Sequence, residues 1–405
     1  MRYGRKHRSL IHKKGDRMIL FENVAERLGK EYQCFLDYLE QNEVKLSKRT
    51  GHIGKKDCFA LNGLFDIVQE KYHSCGRSQD YYTVIDFFCF FSVRAGILQI
   101  TKINGKGMTI QKSERYQLFC QMSAIEQYIL MMAVWLGEYQ EALGKSYSVM
   151  GDRVFRVMRK VRGEEALLDP FGGRVTAWGC CYISEIRLLA LFQLIRIEWL
   201  EEKEEDKENK FRIKALYQTE EGRAWIELWE KQDQGFWYNL DVSTVLTVIK
   251  NIIKDDSANI EEKLMSFWAY SVETGNHTIE FKIVIGSCIR KIIMGDQFTL
   301  DDLHYLIQKS VSFDMDHLYY FQIGSGTSRR RYFAPECEDE LWHADTTFLA
   351  ELLPYEGMQF EYMFDFGDEW HFQITVQRIS SEHTEECVIS RIKGEAPEQY
   401  SGWEQ

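Results

Sequence analysis

Apolar residues that recur at every second position near residue 280 restrict the fold more than any other feature. The alternating residues are Ile279, Phe281, Ile283 and Ile285. A period of two places them on one face of a β-strand, with that face buried. Gly286-Ser287 predicts a turn into a second strand over 289–294. An antiparallel hairpin is therefore expected here.

A second alternating pair predicts a hairpin from strands over 358–364 and 372–376. Cross-strand partners lie on the same face of a sheet, so parity restricts the register. It places Phe364 opposite Phe372, and Phe360 opposite Val376. The same register places Asp365 opposite His371.

The segment between the two hairpins carries a helix start signal. In a capping box, the Thr299 hydroxyl accepts from the Asp302 amide while the Asp302 carboxylate reaches back. Phe298 and Leu303 stand at hydrophobic-staple positions, and a helix over 300–311 is predicted. With a second helix over 347–353, this part is expected to be a small α+β domain with antiparallel β-hairpins and two helices.

The preceding two thirds of the chain show mainly helical spacing, and one order of elements occurs twice. Each unit is a helix, two strands and a further helix, an order similar to a winged helix. The predicted ranges are 84–93, 97–103, 108–111 and 113–122 in the first unit, and 183–194, 195–200, 211–217 and 219–229 in the second. Asn104-Gly105 accepts the positive φ of a hairpin turn in the first unit.

These patterns predict a multidomain α+β protein with a mostly helical N-terminal part. The predicted segments are a basic arm and helix (1–56), winged-helix-like unit 1 (57–145), winged-helix-like unit 2 (146–232), a helical connector (233–275) and the α+β domain (276–405).

Charge is distributed unevenly along the chain. Lys and Arg number 50 and Asp and Glu number 62, a net charge of −12. Residues 1–56 hold 14 basic and 7 acidic residues, whereas residues 276–405 hold 10 and 23. A basic arm on an acidic body is typical of an electrostatic tether, and equally of a solvated terminus.

The remaining composition indicates a cytoplasmic protein. The 10 cysteines form no CxxC pair and no Cys/His set at zinc spacing, so reduced thiols are expected. Apolar runs fall well short of the ~18 residues that a membrane span needs. The N-terminal MRYGRKHRSL lacks the apolar region of a secretory signal.

Two runs in the last third carry a family resemblance. FTLDDLHYLIQKSVSFDMDHLYYFQI and MQFEYMFDFGDEWHFQITVQRI resemble the plasmid pRiA4b ORF-3-like domain, which is also catalogued with insertion-element passenger proteins. The resemblance covers about residues 277–403. It implies a small α+β fold associated with bacteria and mobile elements, and no established activity. The matching positions are Leu303, His304, Ile307, Gln308, His317, Leu318, Asp365, Gly367, Asp368 and Trp370.

Two departures from the family pattern affect possible sites. Cys288-Ile289-Arg290 stands where members often have proline, tryptophan and arginine. His371 directly follows Trp370, whereas members often place a histidine two residues after the tryptophan.

A cluster of imidazoles and carboxylates is the candidate for chemistry in this domain. The candidate catalytic residues are His304, His317, Asp365, Asp368 and His371. His304, His317 and Asp365 are also candidate ligands of a divalent metal, since these side chains suit several such ions. The alternative is structural: His304 lies on the apolar side of its helix, and Asp368 suits a turn. No other cofactor is predicted.

Basic residues in two segments are candidates for nucleic-acid binding. They are Arg5, Lys6, Arg8, Lys13, Lys14, Arg153, Arg156, Arg159 and Lys160. The last four lie on a predicted amphipathic helix whose basic face could follow phosphates or face solvent.

Three functions are consistent with these features. The leading interpretation is a non-enzymatic interaction or regulatory protein with protein partners. The alternatives are a nucleic-acid-binding protein of a mobile element, and a metal-dependent enzyme centred on His304, His317 and Asp365. Arg329-Arg330-Arg331 is expected to relieve repulsion within the acidic domain or to meet an acidic partner.

Overall fold

The protein is a mixed α+β chain, as predicted, with helices dominating before residue 268 and an antiparallel sheet after residue 278. The computed structural model describes residues 14–47, 50–70, 72, 74–103, 107–139, 154, 157–161, 167–168, 177–199, 213–230, 241–250, 260–268, 274–324, 330–338, 340 and 342–400. Within these ranges no helix is long and apolar enough to cross a membrane.

The described residues of the helical part form nine α-helices and five short strands. The helices are α1 (Lys14–Gln41), α2 (Lys55–Asn62), α3 (Thr83–Arg94), α4 (Arg115–Cys120), α5 (Ala124–Val134), α6 (Ala177–Leu191), α7 (Glu220–Trp229), α8 (Val242–Lys250) and α9 (Ile260–Trp268). The strands are β1 (Leu98–Ile103), β2 (Gly107–Lys112), β3 (Leu167–Leu168), β4 (Ile195–Trp199) and β5 (Ile213–Gln218). A π-helical turn, Trp135–Tyr139, extends α5.

The core of the helical part forms around α3 and α5, because both helices are apolar on most of their circumference. Aromatic rings interlock there: the Phe88 ring lies 5.1 Å from that of Tyr32, and Trp135 stacks on Phe192 at 4.9 Å. One continuous hydrophobic cluster extends from Phe21 in α1 to Phe267 in α9.

Both predicted hairpins of the helical part are present. β1 pairs with β2 from Leu98 opposite Lys112 to Ile103 opposite Gly107, while the turn residues 104–106 lie outside the described residues. β4 pairs with β5, and β3 adds a third strand on the other side of β5. The winged-helix assignment of the two units stays a prediction.

In the residues that the structure describes, the C-terminal domain is one sheet with one long helix. Its strands are β6 (Thr278–Ile285), β7 (Cys288–Gly295), β8 (Tyr319–Ile323), β9 (Arg330–Phe333), β10 (Gln359–Phe364), β11 (Trp370–Ser380) and β12 (Val388–Lys393). The sheet order is β12–β7–β6–β11–β10–β8–β9, and every pairing is antiparallel. Helix α10 (Leu300–Val311) packs its apolar side against the sheet and forms a second hydrophobic cluster with it. The alternating apolar residues of β6 belong to this cluster.

Helix α10 begins and ends where the capping signal predicted. The Thr299 hydroxyl accepts from the Asp302 amide at 3.2 Å, and the Thr299 amide donates to the Asp302 carboxylate at 2.8 Å. The helix ends at Val311, and the capping residue Ser312 adopts the left-handed conformation at φ 60°. The second predicted helix is a short 3₁₀ turn, Leu349–Leu352.

The predicted register of the last hairpin was wrong by two residues, although its faces were right. Phe364 lies opposite Trp370, and Phe360 lies opposite Ile374. The predicted register paired Asp365 with His371, whereas in the structure the turn already begins at Asp365. Asp365 and Glu369, the first and last residues of the turn, have left-handed backbones at φ 60° and φ 52°. Parity cannot detect a shift of two, since it leaves every side chain on the same face.

Candidate functional site

His304 is held in the interior of the C-terminal domain. Its Nδ1 accepts from the Tyr362 hydroxyl at 2.6 Å, and that hydroxyl in turn accepts from the Gln308 amide. The imidazole stacks on the Tyr319 ring, with 3.8 Å between centroids and 6° between planes. All four residues lie on the buried side of α10 or on the strands β8 and β10, so the predicted structural alternative describes His304.

Burial lowers the pKa of His304 to about 4. The ring therefore remains neutral at pH 7, and a neutral Nδ1 can accept the tyrosine hydrogen bond. With Nδ1 occupied and the ring 6% exposed, His304 is a poor proton carrier.

The pKa of His304 predicts acid sensitivity. The unfolded chain binds the imidazole proton below its ordinary value of about 6.5, whereas the folded protein binds it only near 4. Stability is thus lost as pH falls between these values. From pH 7 to 4.5, the wild-type free energy of unfolding should fall by about 2–3 kcal/mol more than that of His304→Asn. Urea titrations at both pH values measure this.

The matched control for this prediction is His383→Asn, because His383 is exposed. It should retain the full wild-type decline. An equal decline in His304→Asn and in the wild type would contradict the assigned pKa.

Asp365 builds the turn between β10 and β11. Its carboxylate Oδ1 accepts from the Gly367 amide at 2.8 Å, and its carbonyl accepts from the Glu369 amide at 2.7 Å. A side chain at position 367 would begin 3.2 Å from that carboxylate. The Asp-Phe-Gly-Asp motif is therefore a side-chain-closed turn.

His317 and Asp365 come together as predicted, but loosely. His317 Nε2 lies 3.7 Å from Asp365 Oδ2, 3.4 Å from Asp316 Oδ1 and 3.4 Å from the Tyr400 hydroxyl. The His317 side chain is about one third exposed. Its ring centroid lies 5.8 Å from that of Phe364. The arrangement is a surface histidine among oxygen atoms.

The remaining predicted residues lie apart from this pair. His371 lies opposite Met363 and contacts the Glu361 carboxylate through Nδ1, so its predicted position opposite Asp365 was wrong. Asp368 is exposed in the turn, where its amide lies 3.4 Å from Asp365 Oδ1.

The predicted metal ligands His304, His317 and Asp365 do not come together in the described part of the chain. No group of three His, Cys, Asp or Glu side chains there is placed to hold an ion. His304 turns into the core toward Tyr362, whereas His317 and Asp365 meet near Tyr400. His304 is separated from the other two residues because it belongs to the apolar face of α10, which is buried.

Most candidate nucleic-acid contacts lie outside what the structure describes. The candidates outside the described residues are Arg5, Lys6, Arg8, Lys13, Arg153 and Arg156. Lys14 belongs to α1, but the structure does not describe its side chain. Arg159 and Lys160 are exposed, while Val157, Met158 and Val161 are buried, as an amphipathic helix requires.

Sequence reasoning missed a buried ionic contact between the C-terminal domain and the helical part. Glu138, in the π-helical turn, lies 2.8 Å from Arg330 of β9 and 2.8 Å from Arg94 of α3. Burial alone would raise the pKa of Glu138, but the guanidinium groups of Arg94 and Arg330 outweigh it and hold that pKa below its ordinary value. The buried Glu138 carboxylate is therefore paired with one arginine of the helical part and one of the C-terminal domain.

Aromatic rings enclose the same contact. The Arg330 guanidinium lies 4.3 Å from the Trp342 ring centroid and 5.4 Å from that of Phe90. Tyr355 also joins the two parts, because it packs against both hydrophobic clusters. The arginine run was expected to relieve repulsion within the acidic domain or to meet an acidic partner, and the acidic partner stays a prediction because Glu138 belongs to the same chain. The available signal for this contact was Glu138 itself, a carboxylate two residues after the apolar run that ends at Leu136.

Comparisons with known proteins agree with the motifs of this domain. A crystal structure of a protein of unknown function from Methanosarcina mazei Go1 is 22% identical, with 31% of this chain and 74% of that chain covered and a TM-score of 0.28. No curated protein matches the chain. The family model described as plasmid pRiA4b ORF-3-like protein matches residues 276–403. The C-terminal third of this chain is therefore similar to the plasmid pRiA4b ORF-3-like family, as its motifs predicted.

Proposed function

We propose that the protein is a non-enzymatic interaction protein that binds other proteins. Its mobile-element association and its cytoplasmic location remain predictions from the family resemblance and the composition. The observation that carries the proposal is where the family-motif residues lie in the fold. Most of them fill a core or close a turn, whereas His317 and Leu318 remain partly exposed at the surface.

Three motif positions illustrate this placement. His304 and Gln308 both bond the buried Tyr362 hydroxyl. Trp370 packs edge-on against Phe313 at 5.1 Å. A catalytic acid or base would need to reach a substrate proton, and these side chains face inward. Such positions support a rigid scaffold, and a rigid scaffold suits recognition of a partner.

The matching experiment is panning of an unbiased random-peptide phage library on the purified full chain. We expect families of related peptides that bind saturably as synthetic peptides, with one site per chain and micromolar affinity in fluorescence anisotropy. A scrambled version of each peptide serves as the control, since it keeps composition and loses register.

Two outcomes would contradict the proposal. One is a library that yields no peptide retained above the level of an unrelated protein. The other is binding of labelled duplex DNA at low salt that weakens steeply with added salt and is lost in Arg159→Glu/Lys160→Glu. That result would favour the nucleic-acid alternative, because phosphate contacts release counterions.

A further inference from the structure

Four exposed apolar side chains lie near His317 or the adjoining Asp365 turn at one end of the C-terminal sheet. They are Met315 (43% exposed), Leu318 (38%), Phe366 (44%) and Tyr400 (46%). The Tyr400 hydroxyl lies 3.4 Å from His317 Nε2, and Phe366 follows Asp365 in the turn that His317 contacts. The Phe366 ring also lies 6.1 Å from Tyr320. We call these four residues and His317 the His317 surface.

Carboxylates form the rim of the His317 surface. Asp314 and Asp316 flank Met315, and Asp368 and Glu369 follow Phe366; all four are exposed. Desolvation together with the carboxylates of Asp316 and Asp314 raises the pKa of Tyr400, which places their charge beside that ring. Among the described residues at this rim, Arg331 supplies positive charge and lies 4.6 Å from the Tyr320 ring centroid. Negative charge exceeds positive charge among these described residues.

We propose that the His317 surface docks a basic, amphipathic peptide segment of a partner protein. This inference rests on the proposed interaction function and names the partner's chemistry. Apolar side chains of the segment would cover Leu318 and Phe366, and its Lys or Arg residues would meet the acidic rim. An apolar centre with a charged rim is the usual composition of a protein interface, and complementary charge selects the partner.

Charge argues against the other possible occupants. Nucleic acid and anionic lipid would bring phosphates to the carboxylate rim, which repels them. A second copy of this chain would present the same surface in a two-fold interface and place like charges together. The domain from 276 to 405 carries 10 basic and 23 acidic residues, so its wider field adds to this selection.

The test uses three synthetic peptides of equal length with the purified full chain. The first peptide is amphipathic, with Leu on one face and Lys on the other. In the second peptide Glu replaces Lys, and in the third Ser replaces Leu. Anisotropy titrations should show saturable binding of the first peptide, at least about tenfold tighter than that of either other peptide.

Variants then locate the site. Leu318→Ser and Phe366→Ser should each weaken the first peptide by about tenfold or more, and Asp316→Asn/Asp368→Asn should flatten its salt dependence. The matched control is Ile392→Ser in β12, because Ile392 is 52% exposed at the opposite edge of the same sheet. Circular dichroism checks that each variant folds.

The outcomes separate the two proposals. Library peptides that are acidic or uncharged, or whose binding survives Leu318→Ser and Phe366→Ser, would overturn this site while leaving the interaction function intact. A library that selects no peptide would overturn the function itself. Self-association that Phe366→Ser abolishes would also overturn the assignment, in favour of a second copy.

Discussion

Glu138→Leu is expected to lower the free energy of unfolding by about 3–5 kcal/mol, the cost of leaving buried charge without its partner. In the native protein this carboxylate lies 2.8 Å from both Arg330 and Arg94. Arg330 has its side chain only 11% exposed, and its neighbours Trp342 and Phe90 cannot replace a carboxylate. Urea unfolding followed by tryptophan fluorescence measures the change.

Because Arg330 belongs to the C-terminal domain and Glu138 to the helical part, the loss should also separate the two. A second unfolding transition and faster proteolysis near the domain junction are expected in Glu138→Leu. Exposed Glu385 provides the control, since Glu385→Leu should change stability little. Adding Arg330→Met to Glu138→Leu should restore part of the loss. A Glu138→Leu protein of wild-type stability would refute the contact.

Arg187→Met is expected to have a comparable effect inside the helical part. Arg187 of α6 forms a buried salt bridge with Glu70, and the Thr83 amide also donates to Glu70 at 3.2 Å. Burial already raises the pKa of Glu70 in spite of Arg187. Without the guanidinium, the carboxylate must stay charged in the interior or take up a proton, and a loss of about 3–5 kcal/mol at pH 7 is expected.

The sign of the pH dependence identifies the group responsible. A carboxyl group with a raised pKa in the folded state favours folding at low pH, and this contribution is lost as pH rises above the unfolded value. The destabilisation of Arg187→Met should therefore be smaller at pH 5 than at pH 7 in urea titrations. The double variant Glu70→Gln/Arg187→Met should lack this dependence. An effect equal at both pH values would show that lost packing, not Glu70, is the cause.

Local patterns predicted the elements of the C-terminal domain well. The Thr299 capping box marks the helix start, and alternation marks β6, because caps and side-chain periods depend on neighbours in sequence. The register of the last hairpin could not be predicted by the same means. It depends on the left-handed backbone of Asp365 and Glu369, which parity does not report.

The candidate site was predicted only in part. His317 and Asp365 do meet. His317 lies just before β8 and Asp365 directly follows β10, and Tyr319 at the start of β8 pairs with Phe364 at the end of β10. His304 does not join them, because its helix turns it toward Tyr362. A histidine at a given helical position is compatible with either a core or a ligand role, and the packing partner decides between them.

By itself, the sequence determined the α+β class, the helix and hairpin order, the acidic C-terminal domain and its family resemblance. These follow from periodicity, charge and motifs, which are properties of residues close in the chain. Only the tertiary structure decided that Glu138 joins Arg94 to Arg330 and that the Tyr400 hydroxyl reaches His317. Such contacts join residues far apart in sequence, and they depend on how the chain folds in three dimensions, which no local pattern encodes.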